Sequence, residues 1–224
     1  MITPASLLLL ADSRFPTGAH AHSGGIEAAV HFGWIKDDSD VERFLRGRIA
    51  TNGLADAAFA AATVTDRFEL SDLDVGLAAR ISSPRARVTS RSLGRQLVRA
   101  GSKAWPRTPT TKLLALHKDG PMQGVALGAV AHAAGLSPAD AALCSLHHLV
   151  GTATSAAIRL LGLDPYSIHA LAADLANHLN EVAQQAAETA FAARTIKDLP
   201  AHGSLTADLC AEHHATWEVR LFAS

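Results

Sequence analysis

Eighteen consecutive residues, Ala141 to Ile158, carry no formal charge. A chain with such a run must either thread it through a bilayer or bury it among its own elements. The run also contains Ser145, His147, His148, Gly151, Thr152, Thr154 and Ser155. Hydroxyls and imidazoles are expensive in hydrocarbon but acceptable against neighbouring helices, so the stretch reads as a buried central helix. Ser137-Pro138-Ala139-Asp140 opens it with a cap and a first-position proline, and Gly162 closes it.

What surrounds that helix must also be helical. Alanine fills 45 of the 224 positions, there is one tyrosine, and only 5% of the chain is aromatic. Alanine is the best helix former and is depleted from strands, and it allows helices to approach closely. A sandwich or barrel is excluded. The expectation is all-α: one domain over residues 1–224, of about eight to ten helices. Thr3-Pro4 opens a first helix that runs to Ala11. Ser23 caps a helix over 24–32, stopped by Gly33, and Ser39-Asp40-Val41-Glu42 reads as a capping box for a helix reaching about Thr65. Ser71 caps the next, which must end near Pro84. Helices follow over 88–104, 124–134, 138–161, about 165–197 (with a break allowed) and 205–217. No fixed-period repeat and no Gly/Ser linker divides the chain.

Net charge is −1 but unevenly spread: residues 80–118 carry +10, while the flanking stretches carry −5 and −6. Arg87, Arg91, Arg95, Arg99 and Lys103 fall four residues apart, which places consecutive members on one helix face. Like charges at that spacing repel, so something must offset them. Three partners fit: acids of the same chain, an acidic protein, or nucleic acid. A net charge near zero and the lack of interleaved aromatics count against the last.

Several chemistries find no support. Cys144 and Cys210 are too few for a disulfide framework or a zinc cluster and sit in Ala/Leu-rich helical contexts. There is no Gly-x-x-x-x-Gly-Lys-Ser/Thr phosphate loop and no Gly-x-Ser-x-Gly elbow. His147-His148 and His213-His214 are adjacent pairs, whose members point about 100° apart on a helix. Only His20 and His22, in a loop near Asp12, qualify as transient metal contacts, and no stable metal site is expected. The start of the chain lacks a basic leader, so the expected setting is the cytoplasm.

The segment Leu10-Ala11-Asp12-Ser13-Arg14-Phe15-Pro16-Thr17-Gly18-Ala19-His20-Ala21-His22-Ser23-Gly24-Gly25-Ile26-Glu27 carries the specific signal. It resembles the amino-terminal signature of the UreF family of urease accessory proteins: a Leu-Pro-x-Gly-Gly loop, an aromatic residue, then Ser-x-Gly-Leu-Glu opening a helix. Pro16, Gly18, Ser23, Gly25 and Glu27 match position by position, and Ile26 is conservative. Ala19 and His20 depart from the pattern, standing where glycine and an aromatic residue are usual. Arg91-Ser92-Leu93-Gly94-Arg95 looks like the family's Arg-x-x-Gly segment, and Ala157-Ile158-Arg159-Leu160 like its Val-Arg-Leu run. After that run the usual Pro-Leu-Gly-Gln is replaced by Leu161-Gly162-Leu163-Asp164.

The resemblance implies a non-catalytic, dimeric, all-α adaptor. Such a protein joins UreD (also called UreH) and the GTPase UreG in a GTP-dependent chaperone complex that inserts nickel into apo-urease. Under that reading the chain holds no cofactor tightly, nickel is handled by the complex, and GTP is bound by UreG; neither nucleic acid nor membrane is a partner. Pro16, Gly18, Ser23 and Gly25 shape the loop. Glu27 either stabilises its helix or meets a partner. Arg159, closing the uncharged run, needs an internal partner or an interface. Arg91, Arg95, Trp217 and Phe222 are the other candidate partner contacts, the last two in a tail that either packs on its own chain or stays exposed for UreD. The competing readings are a nucleic-acid-binding helix over 87–103 and a helical metal-dependent enzyme.

Overall fold

The computed structural model describes residues 5–223. Among them are twelve α-helices and no strand, ten of the helices seven residues or longer. In order they are α1 (Ala5–Ala11), α2 (Ile26–His31), α3 (Asp38–Arg48), α4 (Leu54–Val64), α5 (Leu70–Ala78) and α6 (Pro84–Ala104). Then come α7 (Thr110–Ala115), α8 (Gln123–Ala133), α9 (Pro138–Leu161), α10 (Pro165–Asp174), α11 (Ala176–Ala192) and α12 (Leu205–His214). The all-α expectation holds.

At the centre lies α4, whose sequence Leu54-Ala55-Asp56-Ala57-Ala58-Phe59-Ala60-Ala61-Ala62-Thr63-Val64 is buried on nearly every side. It packs on α8, α9 and α11. Small residues permit this. A Cβ on Gly128 would stand 2.4 Å from the Ala60 carbonyl oxygen, and one on Gly101 would stand 2.4 Å from Val130 Cγ2. Neither α4–α8 nor α6–α8 can close at its observed spacing with larger residues there. The chain therefore builds its core from backbone proximity and alanine methyls, which is why it needs so few aromatic rings.

The uncharged run forms most of α9, 24 residues and about 36 Å long. Ser137 and Asp140 cap each other reciprocally, Pro138 takes the first helical position, and Gly162 closes the helix with φ 64°. By length and composition α9 is apolar enough to cross a bilayer, but it packs on α4, α8 and α11, with half of its most apolar stretch buried.

Elsewhere local cues were outcompeted. The expected helix over about 41–65 is two helices joined by a π-turn, Ile49–Gly53, inside which Thr51 has φ −113° and ψ −107°. Asp37, not Ser39, caps α3, accepting the Asp40 N–H at 3.0 Å. Ser23 lies two residues too early to cap α2, because Gly25 with φ 90° occupies that position. Glu69 precedes α5 and displaces the Ser71 cap. Ser83 caps α6 from Pro84, a full turn before Val88. Leu175 separates α10 from α11, the final helix stops at His214, and α7 was not anticipated. The start at Thr3-Pro4 lies outside the described residues.

Candidate functional site

The signature loop is shaped by backbone that only glycine adopts freely. Gly18, Gly24 and Gly25 have φ of 78°, 62° and 90°. The Gly18 carbonyl accepts the Ala21 N–H at 3.1 Å, and the His22 N–H bonds Ala19, giving one 3-10 turn over Ala19–Ala21. Phe15 anchors the loop, its buried ring 5.7 Å from that of Trp105, and Pro16 follows it exposed. Gly24 then hands its carbonyl to the Arg48 guanidinium, and α2 begins with Glu27 in its first turn.

Glu27 is buried and its carboxylate is fully engaged. Oε2 accepts from His214 Nε2 at 2.7 Å and from the Phe222 N–H at 3.1 Å, while Oε1 accepts the Leu221 N–H at 2.7 Å. One residue further, the Ala223 N–H reaches the Ala21 carbonyl at 2.7 Å. The carboxyl-terminal tail is thus clamped onto the signature loop by a single side chain. Phe222 is buried beneath Arg159, whose guanidinium lies 4.4 Å from the ring centroid and donates to the His20 carbonyl at 3.4 Å. Trp217 completes the seam against His31 and His214, at centroid distances of 4.6 and 4.9 Å. Around it, Phe32, Trp34 and His213 form a partly exposed aromatic ledge.

Four residues proposed from sequence as partner contacts, Glu27, Arg159, Trp217 and Phe222, therefore meet in one place. Of the two alternatives for the tail, packing on its own chain is the one observed. It still leaves Val219 and Leu221 in solvent, at 89% and 68% exposure. His214, the imidazole that shares Glu27, was missed: in the sequence it registers only as half of a His-His pair, and nothing local links it to a residue 187 positions away.

Arg91 and Arg95 lie elsewhere. Arg91 is buried, paired with Asp74 at 3.0 Å and donating to the Gly120 carbonyl at 2.8 Å; Asp74 also accepts the Met122 N–H at 2.7 Å. It joins α5, α6 and the turn before α8. Arg95 donates to the carbonyls of Lys118 and Asp119, and Arg87 to those of Ile81 and Ser82. Three of the five stripe residues are thus engaged within the chain, mostly by main-chain carbonyls, while Arg99 and Lys103 are exposed.

His20 is exposed while His22 is half-buried, and burial holds the His22 imidazole below its usual range. Asp12 does not face them as a ligand. Arg14 binds its carboxylate at 2.5 Å and pulls its pKa down to about 2. Among the described residues no three His, Cys, Asp or Glu side chains converge as a metal ion requires.

Comparison with known proteins agrees with the signature. Residues 35–176 match the UreF family model. The chain is 40% identical over its full length, and the full length of the relative, to the urease accessory protein UreF of Mycobacterium marinum. The chain belongs to the UreF family. A second UreF, from a Mycobacterium sp. (strain JLS), is 38% identical with both chains wholly covered. The UreF of Mycobacterium tuberculosis H37Rv is 38% identical over 186 residues, 83% of this chain and 86% of its own. The matched family region stops short of both signature loop and tail, so likeness across the clamp comes from the full-length UreF relatives.

Proposed function

We propose that this chain is the non-catalytic adaptor of urease maturation, joining UreD (UreH) and the GTPase UreG in the complex that loads nickel into apo-urease. The observation that carries this reading is the end-to-end likeness to proteins named urease accessory protein UreF. Nickel is the cargo of the complex, GTP belongs to UreG, and the chain needs no tightly bound cofactor of its own. It works in the cytoplasm as a homodimer, away from membranes and nucleic acid. The tail clamp supports the adaptor role: it fixes Val219, Leu221 and the neighbouring aromatic ledge as a preformed apolar surface next to the family's signature. The internal engagement of Arg87, Arg91 and Arg95 argues against the nucleic-acid reading.

Cells expressing a urease operon with and without this gene provide the test. Nickel-poor, inactive urease in its absence, restored by supplying the chain in trans, is the expected result. Fully nickel-loaded, active urease without it overturns the proposal. Deleting residues 217–224 is expected to abolish UreD capture while leaving the helical circular dichroism intact.

A further inference from the structure

Arg99 and Lys103 are the two members of the α6 stripe that the chain does not use internally. Both are exposed, as are Arg107, just past the helix, and Lys112 and Lys118 in the segment that folds back beside it. Among the described residues none of these five cations makes an ion pair. The single acid in residues 80–119 is Asp119, which lies 3.7 Å from His117. The helix dipole favours Lys103 in the last turn of α6, but it does not account for Arg99, Arg107 or Lys118.

Neighbouring contacts fix where the cluster lies. Arg95 holds the carbonyls of Lys118 and Asp119, and a Cβ on Gly120 would stand 2.7 Å from the Arg95 Cβ. The segment after α7 therefore runs along the Arg95 edge of α6. On the opposite flank the Gln96 side chain sits against Gly18, and Phe15 packs on Trp105, so the signature loop covers that edge. Each four-residue step turns about 40° round the helix, which carries Arg99 and Lys103 from the first edge toward the second. They stand on an open arc of α6, about 6 Å apart along its axis, bordered by the family's signature.

We propose that this surface docks an acidic segment of a partner protein, a helix presenting carboxylates at four-residue steps. Such a helix repeats every 6 Å or so, the spacing of Arg99 and Lys103, and each pairing offsets the repulsion between like charges on α6. Nucleic acid fits less well. The rings at the edge, Phe15 and Trp105, pack on each other at 5.7 Å and are not presented to bases, and a long polyanion would run on toward flanking sequence that carries −5 and −6. A bilayer fits less well too, because beside Arg99 and Lys103 the helix carries Ser92 and Ser102 in place of apolar side chains that insert. That the segment belongs to a urease-maturation partner rests on the adaptor reading; the docking itself does not.

The test uses the full-length chain and no urease component, so it fails or succeeds separately from the adaptor reading. The chain is titrated at about 0.15 M ionic strength with a synthetic helical peptide bearing glutamates at four-residue steps. The comparison probes are a shuffled peptide of the same composition, a single-stranded oligonucleotide of equal charge, and vesicles of equal parts phosphatidylserine and phosphatidylcholine. The stepped peptide is expected to bind saturably, one per chain, weakening steeply with added salt, and more tightly than the other three. Arg99→Glu with Lys103→Glu should weaken it at least about tenfold, while Lys36→Glu, exposed outside this surface, should not. No binding of the stepped peptide, equal binding of the shuffled one, or tighter binding of oligonucleotide or vesicles would overturn the proposal. So would peptide affinity unchanged in the double variant. A dimer that becomes a monomer in that variant, seen by light scattering, would assign the surface to a second copy and overturn it as well. Should the double variant fail to fold, Lys112→Glu with Lys118→Glu decides: unchanged peptide affinity refutes the surface.

Discussion

Replacing Glu27 by alanine should open the carboxyl-terminal tail without unfolding the helices. The carboxylate accepts two tail N–H groups, at 2.7 and 3.1 Å, and the His214 imidazole at 2.7 Å. A hydrogen bond to a charged acceptor is worth about 1.5–3 kcal/mol net, so the two tail bonds supply at least ~3 kcal/mol of closure. What remains is the Ala21–Ala223 bond and the burial of Phe222, set against the entropy of ordering the tail at about 1–2 kcal/mol per residue. Those terms nearly cancel, so loss of the carboxylate tips the balance toward the open tail. About 3 kcal/mol corresponds to somewhat over a hundredfold in the opening equilibrium. Amide exchange at Leu221, Phe222 and Ala223 should accelerate by that factor, while amides of α4 and α9 keep wild-type protection. Glu27→Gln, which retains one acceptor oxygen but no charge, should fall between. Unchanged exchange at Leu221 and Phe222 in Glu27→Ala would refute the clamp. Equal acceleration throughout the chain would show that Glu27 supports the whole fold instead.

Three further predictions follow from the same contacts. Arg91→Met leaves Asp74 buried without its ion-pair partner, so stability should fall by about 3–5 kcal/mol in urea unfolding, whereas Arg99→Ala, exposed on the same helix, should cost less than about 1 kcal/mol. Gly25→Ala forces a side chain into φ 90°, and about 1–2 kcal/mol of destabilisation is expected, seen as a melting temperature lowered by a few degrees. Asp56 titrates near 6 in the folded chain against 3.8 unfolded, so its contribution is fully present below pH 3.8 and is lost as pH rises through 6. Asp56→Asn should therefore be more stable than wild type at pH 8, by up to about 3 kcal/mol, with the gap closing by pH 4. A gap that persists at pH 4 would assign the gain to something other than ionisation.

The helices were legible where local chemistry and tertiary packing agree. The reciprocal Ser137–Asp140 cap and Gly162 gave both ends of α9, because cap and proline are local and the buried run between them has no other conformation that satisfies its backbone. At the α3–α4 junction the periodic apolar pattern runs on unbroken, and the π-turn there answers to packing around Gly53, where a Cβ would meet the Arg48 carbonyl at 2.8 Å and Leu149 at 3.1 Å. No window of sequence carries that information. The signature loop was legible as a motif; its partner, the tail, was legible only as a question. Trp217 and Phe222 marked the tail as worth placing, but Glu27 and Leu221 are 194 residues apart, and a hydrogen bond to a main-chain N–H leaves no side-chain signature at its far end.

The basic stripe carries the same lesson with the opposite outcome. Its four-residue spacing is a strong pattern, and pattern alone pointed outward to an acidic partner or to nucleic acid. The structure turns Arg87, Arg91 and Arg95 inward because α6 runs past two irregular segments, 81–82 and 118–120, whose carbonyls have no helix or strand N–H to accept from. Guanidinium groups with several donors each are suited to that task, and a stripe of them can fasten loops on both sides of one helix. Positive charge concentrated on a helix can therefore serve unpaired backbone beside it and not only an external ligand. In this chain Arg87, Arg91 and Arg95 hold loops, while Arg99 and Lys103 of the same helix stay in solvent.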